Sequence, residues 1–151
     1  MKHAGIIILG LIFFAFSGCV TSNTGSNITA VVVSEKPTVF CTVLKEPLPI
    51  LIGGWQCRAT GINASGKSFN NPVEYWLVKI DNQYALYYYF SSPINSLIGW
   101  QPFIIEDNEI RFSKDGKTPS SSQRKFMSEN GKVYFVDPDG GKTEMNRIPE
   151  K

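Results

Sequence analysis

The chain has 151 residues, with 15 Lys and Arg against 13 Asp and Glu for a net charge of +2, a size that suits one domain and a tail. No basic run exceeds Arg124-Lys125, which excludes nucleic acid and other polyanions as expected partners. The one histidine, His3, lies in an apolar leader, so removal of that leader would leave no His base, His triad or His metal ligand.

The leader has the three parts of a signal peptide. Lys2 and His3 give a basic start, Ala4 to Phe16 form an uncharged run, and Ser17-Gly18 are small. A spanning helix needs about 20 apolar residues, more than this run supplies. The residues Phe16-Ser17-Gly18-Cys19 resemble the lipobox of bacterial lipoproteins. That resemblance implies cleavage before Cys19 and attachment of acyl chains to it. It also implies an exported, lipid-anchored protein of the cell envelope. Two chains suffice for stable anchoring, at about 0.8 kcal/mol per buried methylene. Val20 stands where an Asp resembles an inner-membrane retention signal, which favours the outer membrane, facing the periplasm. The expected division is signal peptide 1–18, tether and amino-terminal segment 19–48, and β-domain 49–151.

Residues 20–30 are rich in Ser, Thr, Asn and Gly and read as a flexible tether. Val31-Val32-Val33 and the run from Val39 to Leu44 are apolar and β-branched, suited to an added strand or to cover over the domain. Cys41 and Cys57 would meet an oxidising compartment after export. A bridge between them would close a loop of about 17 residues, worth around 3 kcal/mol. Two buried free thiols are the alternative.

From residue 50 the pattern is of short β-runs with turn signals between them. The expected strands are 54–60, 73–80, 84–91, 100–106, 109–114, 123–128, 132–136 and 143–148. Asp81-Asn82, Asp107-Asn108, Asn130-Gly131 and the stretch 137–141 supply turns that tolerate positive φ. No sustained 3.6-residue period follows the leader. The fold class is therefore all-β, an antiparallel up-and-down meander of about eight strands. Closing it into a small barrel would remove its edges.

Gly53-Gly54-Trp55 and Arg147 resemble the G-x-W of a lipocalin's first strand and the arginine that packs on that tryptophan from the last. The resemblance implies a lipocalin-like barrel closed by a Trp55–Arg147 cation–π contact of about 1 kcal/mol.

Three constellations bear on chemistry. Gly61 to Ser68 fits the G-x-x-x-x-G-K-[ST] phosphate loop, but Pro72 follows closely and no helix can run on. A loop between the first two strands is expected, without nucleotide. Glu106, Asp107 and Glu109 read as a solvated turn and not as a metal site. Residues 55–112 hold 12 of the 16 aromatic residues beyond the leader. Alternation puts Tyr84, Leu86, Tyr88 and Phe90 on one face and Tyr87 and Tyr89 on the other. Tyr75, Trp76, Tyr87, Tyr89 and Trp100 are the candidate ligand or partner surface. Cover by residues 31–46 is the plainer account of the same residues.

Without a mature histidine or an evident carboxylate pair, the expectation is a non-catalytic binding protein with no cofactor. Its partner would be an apolar or amphipathic small molecule or an envelope component. The alternative is a protein–protein module, an inhibitor or an assembly lipoprotein. Trp55-Gln56-Cys57 is loosely similar to the early first strand of lysozyme-inhibitor lipoproteins. An interior cavity above about 300 Å³ would favour the first reading. A packed interior with exposed Tyr87 and Tyr89 would favour the second.

Overall fold

Alternating apolar residues and positive-φ turns build the tight hairpins of this domain. The computed structural model describes residues 36–62, 65–91, 97–120 and 124–149. The expected signal peptide, Cys19 and the tether, with Val31-Val32-Val33, lie outside the described residues. The strands are β1 (Thr42–Lys45), β2 (Gly53–Ile62), β3 (Ser68–Ile80), β4 (Gln83–Phe90), β5 (Leu97–Gln101), β6 (Phe103–Glu106), β7 (Glu109–Phe112), β8 (Lys125–Glu129), β9 (Lys132–Val136), β10 (Lys142–Glu144) and β11 (Asn146–Arg147). One 3₁₀ turn, η1 (Pro49–Leu51), precedes β2. Among the described residues no helix is long and apolar enough to cross a membrane.

The tight turns fall where the sequence places them. Asp81 and Asn82 both have positive φ (49° and 65°), as do Asn130 and Gly131 (52° and 73°). Two positive φ values in succession match the right-handed twist of the flanking strands. The β2–β3 hairpin runs further than expected, pairing in register from Gly53↔Leu77 to Ile62↔Ser68. Much of the expected 61–72 loop is thus strand. Pro72 is tolerated because β4 has already ended: the last β3–β4 pair is Val73↔Phe90.

The strands form two sheets, ordered β11-β2-β3-β4-β5 and β1-β6-β7-β8-β9-β10. The expected closed barrel is not found. Its predicted 100–106 strand divides at Pro102, which has no N–H to donate to a ladder. β5 pairs with β4, and β6 with β7. The edge of β6 that would continue toward β4 is taken by β1, in parallel, with Thr42 opposite Ile104. The Cys41 N–H reaches across that seam to the Tyr84 carbonyl at 2.7 Å. The apolar run 39–44 therefore serves as a seam strand, and the meander is not purely antiparallel. The second break is Met145, whose N–H bonds the Val133 carbonyl at 2.8 Å while β11 has moved to β2.

The expected Cys41–Cys57 disulfide is also absent; both are free thiols. Cys57 lies opposite Val73, which lies opposite Phe90. Cys41 bonds the carbonyl of Tyr84, six residues further along β4. At about 3.4 Å per residue that offset is roughly 20 Å, whereas a bridge needs Cα atoms within about 7 Å. Burial pushes each thiol up to about 12.

Between the sheets lies the main core, with Tyr75, Leu77, Leu86, Ile105, Phe126 and Phe135 among its members. One end is plugged. Leu51 of η1 is fully buried, its carbonyl accepts the Tyr75 hydroxyl at 3.0 Å, and the Ile50 carbonyl accepts the Trp55 indole N–H at 3.1 Å. Arg147 stacks on Trp55 with its guanidinium carbon 5.3 Å from the ring centroid, and donates to the Ile52 carbonyl. Gly53 is needed here twice over. Its φ is +97°, and a Cβ would collide with the Arg147 guanidinium.

Candidate functional site

The two outer faces differ sharply. On the outside of the β6–β10 sheet, ion pairs tie strands together: Lys125–Glu109 at 2.6 Å and Lys132–Glu144 at 2.7 Å link neighbours, and Lys142–Glu129 at 2.8 Å reaches from β10 across β9 to β8. The latter two are exposed, and such pairs contribute little stability each, about 0–1 kcal/mol; Lys125–Glu109 is part-buried. They do keep this face wet. The acidic turn belongs to the same lattice: Glu106 binds Arg111, and Asp107 binds Lys45 at 2.9 Å. Each carboxylate of Glu106, Asp107 and Glu109 thus meets a cation. Among the described residues no group of three or more His, Cys, Asp or Glu side chains gathers as a metal site.

The outer face of the β2–β5 sheet is aromatic. Trp76, Tyr87 and Trp100 sit opposite one another across β3, β4 and β5. Tyr87 and Trp100 meet edge-on at 5.3 Å. With Ala85 they form a second buried cluster, flanked by Val39, Val78, Tyr89 and Ile148. Gly54 lies under this cluster, because a Cβ there would come within 2.5 Å of the Trp76 ring. Tyr87 is buried and Tyr89 half-buried, so the exposure of Tyr87 that would have favoured a protein partner is not seen. Tyr75, grouped with these residues in the sequence, points to the opposite face and is fully buried in the core. The structure brings together Trp76, Tyr87, Tyr89 and Trp100, and separates Tyr75 from them.

The Gly61–Ser68 stretch runs from the end of β2 to the start of β3. A strand follows it, where phosphate binding of this type uses a helix amino terminus.

An aromatic-lined space of ligand size lies elsewhere, at the end of the sandwich away from η1. A cavity of about 390 Å³ opens there, lined by Tyr88, Leu97, Phe103, Phe112, Phe126 and Pro138, with Lys114 and Arg124 also on its wall. Its walls follow from strand period. Tyr88 takes the inward alternation of β4, and Phe126 that of β8. Phe103 and Phe112 pair in register at the ends of β6 and β7, ring to ring at 5.5 Å and nearly perpendicular. Phe103 also meets Tyr88 edge-on at 6.0 Å. Burial holds the Tyr88 hydroxyl well above the usual phenol range, against the opposing influence of Arg124. Tyr88 is thus a neutral phenol on the wall at any ordinary pH.

The floor is firm. Phe126 packs on Tyr75 at 4.3 Å and Phe135 at 5.8 Å. The rim is held by a clamped turn. Asp115 accepts from the Lys117 and Thr118 N–H groups at 2.9 and 2.8 Å, and from the buried Ser113 hydroxyl at 2.9 Å. These bonds hold its carboxyl well below the usual range, the Thr118 N–H most of all. Tyr88 was legible as an inward residue of β4. Phe103, Phe112 and Phe126 were legible as strand residues, but nothing in their spacing marks an unfilled end.

Comparison with protein-family models, curated proteins and solved structures finds no match to this chain.

Proposed function

We propose that this domain is a non-catalytic binder of an apolar or amphipathic small molecule, held at the open end of the sandwich. The single observation that carries the reading is the aromatic cavity of about 390 Å³, which exceeds the lower bound of about 300 Å³ typical of small-molecule sites. Its walls are rigid rings, so little ordering cost falls on binding. The wider setting is a lipid-anchored envelope protein, attached through acyl chains on Cys19 and favouring the outer membrane. The leader and the Phe16-Ser17-Gly18-Cys19 stretch support that setting. An anchored domain of this kind would meet its ligand near a membrane surface.

The test uses the neutral fluorophore N-phenyl-1-naphthylamine with the full chain. Saturable enhancement is expected for the wild type, and its loss in Phe112→Glu, which places a charge on the half-buried wall of the cavity. Equal enhancement in both proteins would refute the site. For the anchor, Cys19→Ser is expected to lose labelled fatty acid and to leave the membrane fraction; retention of both would refute it.

One observation favours the protein–protein alternative. β5 is an edge strand of its sheet, and its Leu97 and Ile98 are exposed. A partner strand could pair there. Capture of one envelope protein by the wild type and not by Ile98→Lys would establish it.

A further inference from the structure

The two cations of the cavity rim, Lys114 and Arg124, are not fully engaged by carboxylates: Asp115, beside Lys114 in the chain, is taken up by the N–H groups and the hydroxyl of its own turn. Lys114 meets no carboxylate among the described residues, and Arg124 meets only Asp137, with its Nε 3.3 Å from one oxygen. That contact leaves the terminal nitrogens of the guanidinium without a hydrogen bond among the described residues. Arg124 also lies over the Phe90 ring, its Cζ 4.6 Å from the centroid. The stacking holds the guanidinium at the mouth instead of letting it swing into solvent.

The neighbouring groove makes the contrast. It is larger, about 600 Å³, and shares Pro138 with the aromatic cavity. Its cations are already neutralised: Lys125 by Glu109, Lys142 by Glu129 and Arg111 by Glu106. Charge and apolar surface coincide without full compensation at the aromatic cavity.

We infer that the ligand of this pocket carries an anionic headgroup, a carboxylate or a phosphate, received by Lys114 and Arg124 while its apolar part packs on Phe103, Phe112 and Phe126. This rests on the binding function proposed above. The planar guanidinium can meet two oxygens of one oxyanion, and charge-assisted bonds of this kind are about twice as strong as neutral ones. An uncharged alcohol of the same chain length would gain only the apolar contacts.

Equilibrium dialysis of the full chain against radiolabelled dodecanoate, dodecyl phosphate and dodecanol, each below its micellar concentration, tests this. The wild type should bind at least one of the two anions about tenfold more tightly than the alcohol. That is the fold-change expected from one charge-assisted bond of about 1.4 kcal/mol. The carboxylate and phosphate arms identify which head is preferred. In Lys114→Gln/Arg124→Gln the preference should fall below about twofold while dodecanol binding persists, which shows the variant is folded with its pocket intact. The wild-type preference should also shrink between about 0.01 M and 1 M salt, as the Debye length contracts from about 30 to 3 Å. Equal affinity of the wild type for anion and alcohol would overturn the inference and leave the pocket standing. An undiminished preference in the double variant would overturn the assignment of these two residues. Binding of none of the three probes would overturn the pocket itself, and the inference with it.

Discussion

Phe126 and Phe112 both face the cavity, yet truncating them should have very different consequences. Phe126 is 1% exposed. Its ring lies 4.3 Å from Tyr75, 5.9 Å from Tyr88, 6.1 Å from Phe103 and 5.8 Å from Phe135. It joins the pocket floor to the core between the sheets. Phe→Ala at such a site costs about 3–5 kcal/mol, transfer and cavity terms together. Four ring neighbours held by two sheets cannot collapse into the void, so the upper half of that range, about 4–5 kcal/mol, is expected. Phe112 is half-buried and, among the described residues, has one ring partner, Phe103 at 5.5 Å. Its opposite side already faces the cavity. Full burial of a Phe is worth about 1.5–3 kcal/mol, so losing about half of it, with one aromatic pair, should cost about 1–2 kcal/mol. Urea unfolding followed by tryptophan fluorescence reports the difference. With a slope of about 1–3 kcal/mol/M, Phe126→Ala should lower the midpoint by roughly 2 M and Phe112→Ala by less than about 1 M, both with unchanged slope. Equal losses, within about 1 kcal/mol, would refute the reasoning. They would mean that packing continues past Phe112 and that no open pocket exists.

The thiols and the rim turn give two further tests. With both thiols pushed up to about 12 by burial, the thiolate fraction at pH 8 is about 10⁻⁴. Peptide mapping should find Cys41 and Cys57 unlabelled by a thiol reagent in the native protein and labelled after unfolding without reductant; failure to label the unfolded chain would reveal a bridge. Asp115 has a folded pKa held below its unfolded value by the Thr118 and Lys117 N–H groups and the Ser113 hydroxyl, so its contribution to stability is complete above the ordinary value of about 3.9 and is lost as pH falls below it. The stability gap between wild type and Asp115→Ala should therefore be widest near neutrality and narrow as the pH drops below about 4. A gap that does not change with pH would mean that the charge has no part in clamping the turn.

Strand period and turn chemistry are local properties, and they were legible without the fold. The positive φ values at Asp81-Asn82 and Asn130-Gly131 follow from residue types that tolerate them. The inward set Tyr84, Leu86, Tyr88 and Phe90 follows from a period of two, and each of them lies in the core between the sheets. The sequence by itself therefore determined an all-β domain, its hairpins and the internal alternation of its strands. It could not assign faces between strands. Tyr75 and Trp76 are adjacent and both aromatic; only the position of the second sheet puts Tyr75 in the main core and Trp76 on the outer face. Nor could it find the seam. β1 pairs with β6 some sixty residues away, and that pairing, with Pro102, splits the expected barrel into two sheets. The same long-range packing sets Cys41 far from Cys57 and leaves Tyr88, Phe103, Phe112 and Phe126 around a space that no side chain of the described residues fills, with Lys114 and Arg124 at its rim. A void is a property of how whole sheets fit together, and no residue type or spacing encodes it, so the candidate site was decided by tertiary structure alone.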